Sequence, residues 1–484
     1  MKKVSFYIFC AFLVTAAGCN KYLEQEPDNR ARLNTPEKVA QLLTSAYPQA
    51  NYMSFTESIS DNAADKGSGA IELTNRDPYF FEDTKENEQD SPEFYWDACY
   101  KAIATANIAL QACNEAPDPQ NYSPQKGEAL LARAYAHFML VNFFAKFYDP
   151  ATAASDAGIP YVTEVENVVF KNYERRTVAY VYEMIEKDLL EGLPLIRDEE
   201  YNVPRYHFNR AAANAFAARF YLFKKDYNKV IQYANAALPS SNVAAVLRPW
   251  NTTYRTMTYN ELYAVYAKAT EPANLLLIET GSLWGRNYYR VRYGLDATLQ
   301  DEILGPNVTG GRWAFEFQTY TAGTNNYLLP KINEYFVRAS VNAEIGLPYV
   351  MVPALTTEEV LFNRAEAYAY LNNTAAALAD LNTYASTRIV NYDPSAHNIT
   401  AAKIGSFYGA PNLQTGLILT ILDFKRAEYV QEGMRWFDVL RYKIPVTHNT
   451  VIPAGTMTLG ASDPRRVFQI PESATLSGVT QNPR

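Results

Sequence analysis

The run Glu428-Tyr429-Val430-Gln431-Glu432-Gly433-Met434-Arg435-Trp436-Phe437-Asp438-Val439-Leu440-Arg441 gathers three carboxylates and two guanidinium groups in one short stretch, the raw material of an acid/base site. Its spacing argues for structure instead. Glu428 and Glu432 stand one helical turn apart, Gly433 suits the left-handed residue that closes a helix, and Asp438 reaches Arg441 at i,i+3 in the next helix. Charges set out this way fix how two helices meet, and no general acid/base pair can be chosen from 52 acidic residues by spacing alone. Histidine offers less. His137, His207, His397 and His448 form no i,i+4 pair and no cluster with cysteine, so neither a zinc site nor a catalytic histidine is predicted. No catalytic residue, metal or cofactor is expected, and the chain does not read as an enzyme.

Binding chemistry is better represented. Tyrosine outnumbers phenylalanine 37 to 24, more than core filling requires. A sugar ring shows apolar C–H groups on its faces and hydroxyls on its rim, so a binder needs flat aromatic surfaces with polar edges, which tyrosine and tryptophan supply at low entropic cost. The candidates are Trp284, Tyr288, Tyr289, Trp313 and Tyr320 in one stretch, and Arg76, Asp77 and Tyr79 in another. Taken singly, each aromatic is more often packing than platform, because buried rings are common.

Those residues sit in two regions where helical periodicity fades, 51–91 and 240–350. The second holds 11 tyrosines and three of the five tryptophans, Trp250, Trp284 and Trp313. Irregular stretches of that length are uncommon inside a compact domain unless they carry function, and both are expected to meet on one face of a scaffold. The scaffold itself is periodic. Apolar stripes at steps of three and four residues predict helices over 92–116, 125–148, 176–196, 210–223, 227–238, 356–371, 374–388 and 419–433. Several pair across turns such as Lys225-Asp226 and Asn372-Asn373. The segments Ala132-Arg133-Ala134-Tyr135, Ala218-Arg219-Phe220-Tyr221 and Arg364-Ala365-Glu366-Ala367-Tyr368 repeat a theme of small alanines beside aromatics, the way tetratricopeptide-type hairpins stack. The expected fold is all-α: hairpins forming a scaffold over about 30–240 and 350–445, with little β structure, in one domain over 19–484.

The first residues give an address. Lys2 and Lys3, an apolar segment over 4–17, and Ala16-Ala17-Gly18 ahead of Cys19 make an export signal over 1–18 with a cysteine placed for lipidation. The apolar segment is about half the roughly 20 residues that span a hydrocarbon core, so acylated Cys19 is the expected anchor. The net charge of -8, more negative once Lys2 and Lys3 are removed, repels phosphate backbones and excludes nucleic acid as a partner. Cys99 and Cys113 remain, 14 residues apart on one predicted helix. At 1.5 Å per residue that is about 21 Å, beyond disulfide reach, so two buried free thiols are expected.

The order of short motifs resembles the SusD/RagB family, the outer-membrane nutrient-binding lipoproteins of Bacteroidota, over nearly the full length. Cys19-Asn20-Lys21-Tyr22-Leu23 with acidic residues and Pro27 is similar to the family's mature start. Ala129-Leu130-Leu131-Ala132-Arg133-Ala134-Tyr135, Phe147-Tyr148-Asp149-Pro150, Gly158-Ile159-Pro160-Tyr161 and Arg176-Thr177-Val178 follow in its order, and 428–441 matches its E-G-x-R-W-x-D-x-x-R segment. Ile470-Pro471-Glu472 and Gln481-Asn482-Pro483 resemble its closing signatures, with Arg484 where many members carry glycine. The resemblance implies about four tetratricopeptide-like units, a lipid tether at the cell outer membrane facing the exterior, and a SusC-type TonB-dependent transporter as partner. It implies a glycan as ligand, or a peptide as in some members, held by the irregular insertions. A lipid-anchored glycoside hydrolase is the rival reading, and it lacks any recognised catalytic spacing.

Overall fold

Ser91, Asn209, Asp226, Thr356, Asn373 and Asn412 each stand just ahead of an apolar helical run, and each side chain accepts a backbone N–H of the first turn, a donor that the helix leaves unsatisfied. The structure, a computed structural model, describes residues 33–166, 168, 171–338, 340 and 342–484; the signal segment and Cys19 lie outside them. About half of it is helical and little is strand, the mainly α fold the periodicity predicts. The scaffold helices are α1 (Pro92–Glu115), α2 (Ser123–Phe144), α3 (Val178–Gly192), α4 (Arg210–Lys224), α5 (Tyr227–Ala237), α6 (Thr357–Tyr370), α7 (Thr374–Ala385), α8 (Ala401–Tyr408) and α9 (Leu413–Glu428). Four hairpins result, α1/α2, α4/α5, α6/α7 and α8/α9, with α3 laid against α2. Among the described residues no helix is long and apolar enough to cross a membrane.

The arginines of the repeated alanine-aromatic theme do the same work in three places. Arg133 forks onto Asp188 of α3 at 2.7 Å through both Nε and Nη2. Arg219 forks onto Glu359 of α6, and Arg364 onto Asp380 of α7. A bidentate guanidinium fixes angle as well as distance, so α2 is keyed to α3, hairpin α4/α5 to hairpin α6/α7, and α6 to its own partner α7. The centre of the scaffold is α2, buried from Gly127 to Phe144. It crosses α3 at a glycine pair: a Cβ on Gly127 would lie 2.9 Å from the Gly192 carbonyl, and one on Gly192 would lie 2.9 Å from the Gly127 carbonyl. Cys99 and Cys113 are buried free thiols on α1.

The ninth helix departs from its periodic pattern. Asn412 accepts the Thr415 N–H at 2.9 Å and starts it early, and it stops at Glu428 because Gln431 (φ 70°) and Gly433 (φ 74°) are left-handed. Glu428 and Glu432 therefore do not share a helix. The long insertion is also more regular than its composition suggests. Strands β2 (Asn274–Gly281), β4 (Glu334–Val337) and β5 (Leu347–Thr356) form a sheet in the order β2-β5-β4, with Leu277 opposite Pro353 and Phe336 opposite Pro348. Within the smaller insertion, β1 (Ala64–Asp65) pairs antiparallel with β3 (Tyr293–Gly294) of the larger one, Asp65 facing Tyr293.

Candidate functional site

The two insertions meet at a seam. Beyond the β1/β3 pair, the Ala70 N–H donates to the Arg290 carbonyl and the Ala70 carbonyl accepts the Arg292 N–H, Arg292 forks onto Asp65 at 2.6 and 2.8 Å, and Asp90 accepts the Ser282 hydroxyl at 2.5 Å and the Leu283 N–H at 2.8 Å. The larger insertion is also tied down by the segment after α9. Trp284 Nε1 donates to the Gln431 carbonyl at 3.1 Å, Gln431 Oε1 accepts the Leu329 N–H at 3.1 Å, and Lys331 and Tyr266 both bond Glu432, at 2.9 and 2.8 Å. Arg435 forks onto Asp61 at 2.8 Å, and Asp438 receives Lys425 at 2.6 Å and Arg441 at 3.0 Å. Glu432, Arg435, Asp438 and Arg441 are thus all engaged in packing; of the expected spacings, Asp438 to Arg441 at i,i+3 holds and the shared helical turn of Glu428 and Glu432 does not.

That anchoring decides the fate of the predicted platforms. Trp284 (2 % exposed), Tyr288 (1 %), Trp313 (2 %) and Tyr79 (0 %) are interior side chains with no face turned outward. Trp313 packs on Phe424 and Phe315. Tyr288 donates to the Leu329 carbonyl at 3.2 Å. Tyr79 lies between Tyr293 and His448, ring centroids 4.3 and 4.1 Å away, and donates to the Asn449 carbonyl. Asp77 is buried and holds the guanidinium of half-exposed Arg76. A large ring in an irregular segment is the cheapest means of pinning that segment to a core, since burial of its surface is the main favourable term, and these four serve that purpose. Tyr289 and Tyr320 stay half-exposed.

Tyr289 and Tyr320 belong to a surface group completed by Tyr259 and Tyr263, which composition alone did not single out. A short helix, Tyr259–Val265, is opened by a capping box in which Thr258 and Glu261 bond each other's backbone N–H, and it sets Tyr259 and Tyr263 four residues apart on one face. Their rings stack at 5.6 Å, and Tyr320 meets Tyr259 edge-on at 5.2 Å. Burial first, and then the neighbouring hydroxyls of Tyr263, Tyr289 and Tyr320, push the Tyr259 phenol up. Thr-x-x-Glu ahead of Tyr-x-x-x-Tyr was the signal that could have found this pair. The four half-buried rings offer faces and hydroxyl edges together, the chemistry a saccharide requires.

Two cavities lie elsewhere. One of about 160 Å³ is walled by Trp96, Tyr100, Pro160 and Tyr173 on the scaffold; one of about 230 Å³ lies between Phe81, Lys85, Arg465 and Gln481 at the edge of the smaller insertion. None of the eight predicted residues lines either. The tyrosine group is half-buried at the surface.

Asp90 makes the seam sensitive to pH. Burial pushes its carboxyl from an ordinary 3.8 up to about 7, so the folded chain keeps a proton there that the unfolded chain releases above about pH 4. Its contribution to stability is complete below that and is lost as pH rises toward 7. At about 1.4 kcal/mol per pKa unit the loss is on the order of a few kcal/mol. Asp90→Asn mimics the protonated form, and urea midpoints from pH 4.5 to 7.5 should show the unsubstituted chain losing stability relative to the variant. Parallel curves would mean that Asp90 is not protonated in the fold.

Tetratricopeptide-like hairpins with irregular insertions define the class of helical-repeat scaffolds whose variable surface is carried outside the repeats. Two family models match the sequence, one described as starch-binding associating with outer membrane, over residues 21–222, and the SusD family, over 357–475. The chain belongs to the SusD/RagB family. No curated protein sequence matches it. Solved structures similar to it include a SusD superfamily protein from Bacteroides thetaiotaomicron (TM-score 0.66, 19% identity, covering 93% of this chain and 100% of that one). A SusD-like carbohydrate binding protein from Bacteroides vulgatus is also similar (0.65, 15%, 92% and 97%), as is a laminarin binding SusD-like protein (0.63, 16%, 93% and 99%). At these identities the likeness is one of fold.

Proposed function

We propose that this chain is a non-catalytic outer-membrane lipoprotein, tethered through Cys19 and facing the exterior, that captures oligosaccharide and delivers it to a SusC-type TonB-dependent transporter. The observation that carries the reading is the group of half-buried tyrosines, Tyr259, Tyr263, Tyr289 and Tyr320, in the larger insertion, with Tyr289 reached from the smaller one by Lys66. Family membership supports the tether and the transporter, and the carbohydrate-binding and laminarin-binding proteins of the same fold support the ligand class. Against hydrolysis stands the engagement of the 428–441 carboxylates in buried ion pairs, which leaves none of them beside the tyrosines to move a proton.

Ring stacking contributes about 1 to 3 kcal/mol per ring, by analogy with base stacking. Tyr263→Ala and Tyr289→Ala should each weaken oligosaccharide affinity by about fivefold or more, and together by more than about 25-fold, as read by calorimetry with helicity unchanged. Unaltered affinity in the double variant would remove the tyrosine surface as the site.

A further inference from the structure

Lys66 sits in the seam, 7 % exposed, with a single hydrogen-bond acceptor, the carbonyl of Tyr289 at 3.2 Å. An ammonium has three protons to donate, and a buried one is ordinarily matched by a carboxylate because desolvation of an unpaired charge is costly. Among the described residues no carboxylate lies within ion-pair distance of it. The acids nearby are engaged: Asp65 holds Arg292 and receives the Gly67 and Val451 N–H groups, and Asp296 caps the helix Ala297–Leu304 through the Leu299 N–H at 2.8 Å. Burial accordingly lowers the Lys66 ammonium to about 8, with Asp296 a weaker opposing influence. Beside the same tyrosine, Arg290 places its guanidinium over the Tyr289 ring, 5.4 Å from the centroid, and it too has no carboxylate partner among the described residues. Tyr289 therefore has two cations beside it that form no ion pair among the described residues, on a chain whose overall charge is -8.

We infer that the tyrosine surface takes an acidic saccharide, one bearing carboxylate or sulfate, with Lys66 and Arg290 receiving the anionic group while the rings take the sugar faces. The inference rests on the binding reading above and adds the charge of its ligand. A neutral sugar leaves both cations without an anionic partner, whereas an acidic one supplies the acceptors that Lys66 lacks and a fork for Arg290. The bulk negative charge of the protein opposes non-specific attraction of such polymers, so any selectivity for them must come from a local site.

Affinity electrophoresis of the full chain in gels cast with starch, laminarin, xylan, polygalacturonate, alginate or chondroitin sulfate tests this. Retardation by at least one acidic polymer is expected, with polygalacturonate and alginate reporting carboxylate recognition and chondroitin sulfate reporting sulfate. Lys66→Met, which keeps the buried stem, should weaken that retardation about tenfold or more, Lys66→Arg should retain part of it, and Arg290→Ala should weaken it less. Circular dichroism confirms that each variant is folded. Retardation only by neutral polymers, lost in Tyr289→Ala but indifferent to Lys66→Met, overturns the inference and keeps the binding reading. Acidic retardation unchanged in Lys66→Met also overturns it. No retardation by any polymer overturns both.

Discussion

Arg388→Met is expected to lower unfolding stability by about 3 to 5 kcal/mol, the cost of leaving a buried charge without its partner. Arg388 is fully buried. Its Nε and Nη2 donate to the two oxygens of Glu428 at 2.8 and 3.0 Å, Nη2 also reaches Glu358 at 2.9 Å, and Nη1 donates to the Arg248 carbonyl at 2.9 Å. Arg248 in turn donates to both oxygens of Glu358, at 2.8 and 2.9 Å, and to Asn274 at 2.6 Å. The four charges sum to zero, and they come from four places: the start of α6, the loop after α7, the end of α9 and the entry to the larger insertion. Methionine keeps the stem's volume but strips Glu428 of its counter-charge, leaving it the Tyr384 hydroxyl at 2.8 Å. Adding Glu428→Gln should recover part of the loss, because the stranded charge disappears with it. Against a typical total of about 5 to 15 kcal/mol, the single substitution removes a large share. A urea midpoint within about 1 kcal/mol of the unsubstituted chain would show the quartet to be energetically idle.

The same quartet explains which parts of the molecule could be read in advance. Helices were legible because their periodicity and caps are local: Asn209 before 210–223 and Asn373 before 374–388 mark true starts. The hairpins announced themselves by the repetition of alanines beside aromatics, while the arginines inside the same segments showed nothing of the carboxylates they hold. Long-range partners left no such trace, since nothing near Arg388 in the chain indicates that its acceptors are Glu358 and Glu428. The burial of the expected platforms has the same origin. Size and irregular surroundings describe a platform and an anchor alike in Trp284 and Trp313; only the Gln431 carbonyl and the face of Phe424, both far away in sequence, distinguish the two roles. Tyr289 and Tyr320 share that composition yet stay at the surface, because no core lies above them to receive their rings. Lys66 was invisible for a further reason. A lysine in a polar loop reads as solvated until β1 pairs with β3 and encloses it.

Gly433→Ala should couple the scaffold to the ligand surface. Gly433 has φ 74°, and a Cβ there would lie 2.3 Å from Thr56 Oγ1 and 2.9 Å from the Met53 Cα. The left-handed backbone costs a residue with a Cβ roughly 1 to 2 kcal/mol, and moving the Met53 backbone adds about 1 to 3 kcal/mol, so a loss on the order of 2 to 5 kcal/mol follows. Removing the hydroxyl as well, in Gly433→Ala with Thr56→Ala, should recover only part, since Met53 Cα and the backbone strain remain. The displacement also reaches further. Glu57, beside Thr56, accepts the Gln431 and Gly433 N–H groups at 2.7 and 2.9 Å, and Gln431 carries the Trp284 and Leu329 contacts that hold the larger insertion in place. Pushing 431–433 away from the helix Met53–Ile59 loosens Trp284, and with it the turn that bears Tyr289. Hydrogen exchange should accelerate over 284–292 and 327–332 while α4 and α5 stay protected, a local opening distinct from global destabilisation. Exchange that rises uniformly along the chain would show that Gly433 serves the core alone, and that the segment after α9 does not set the position of the tyrosine surface.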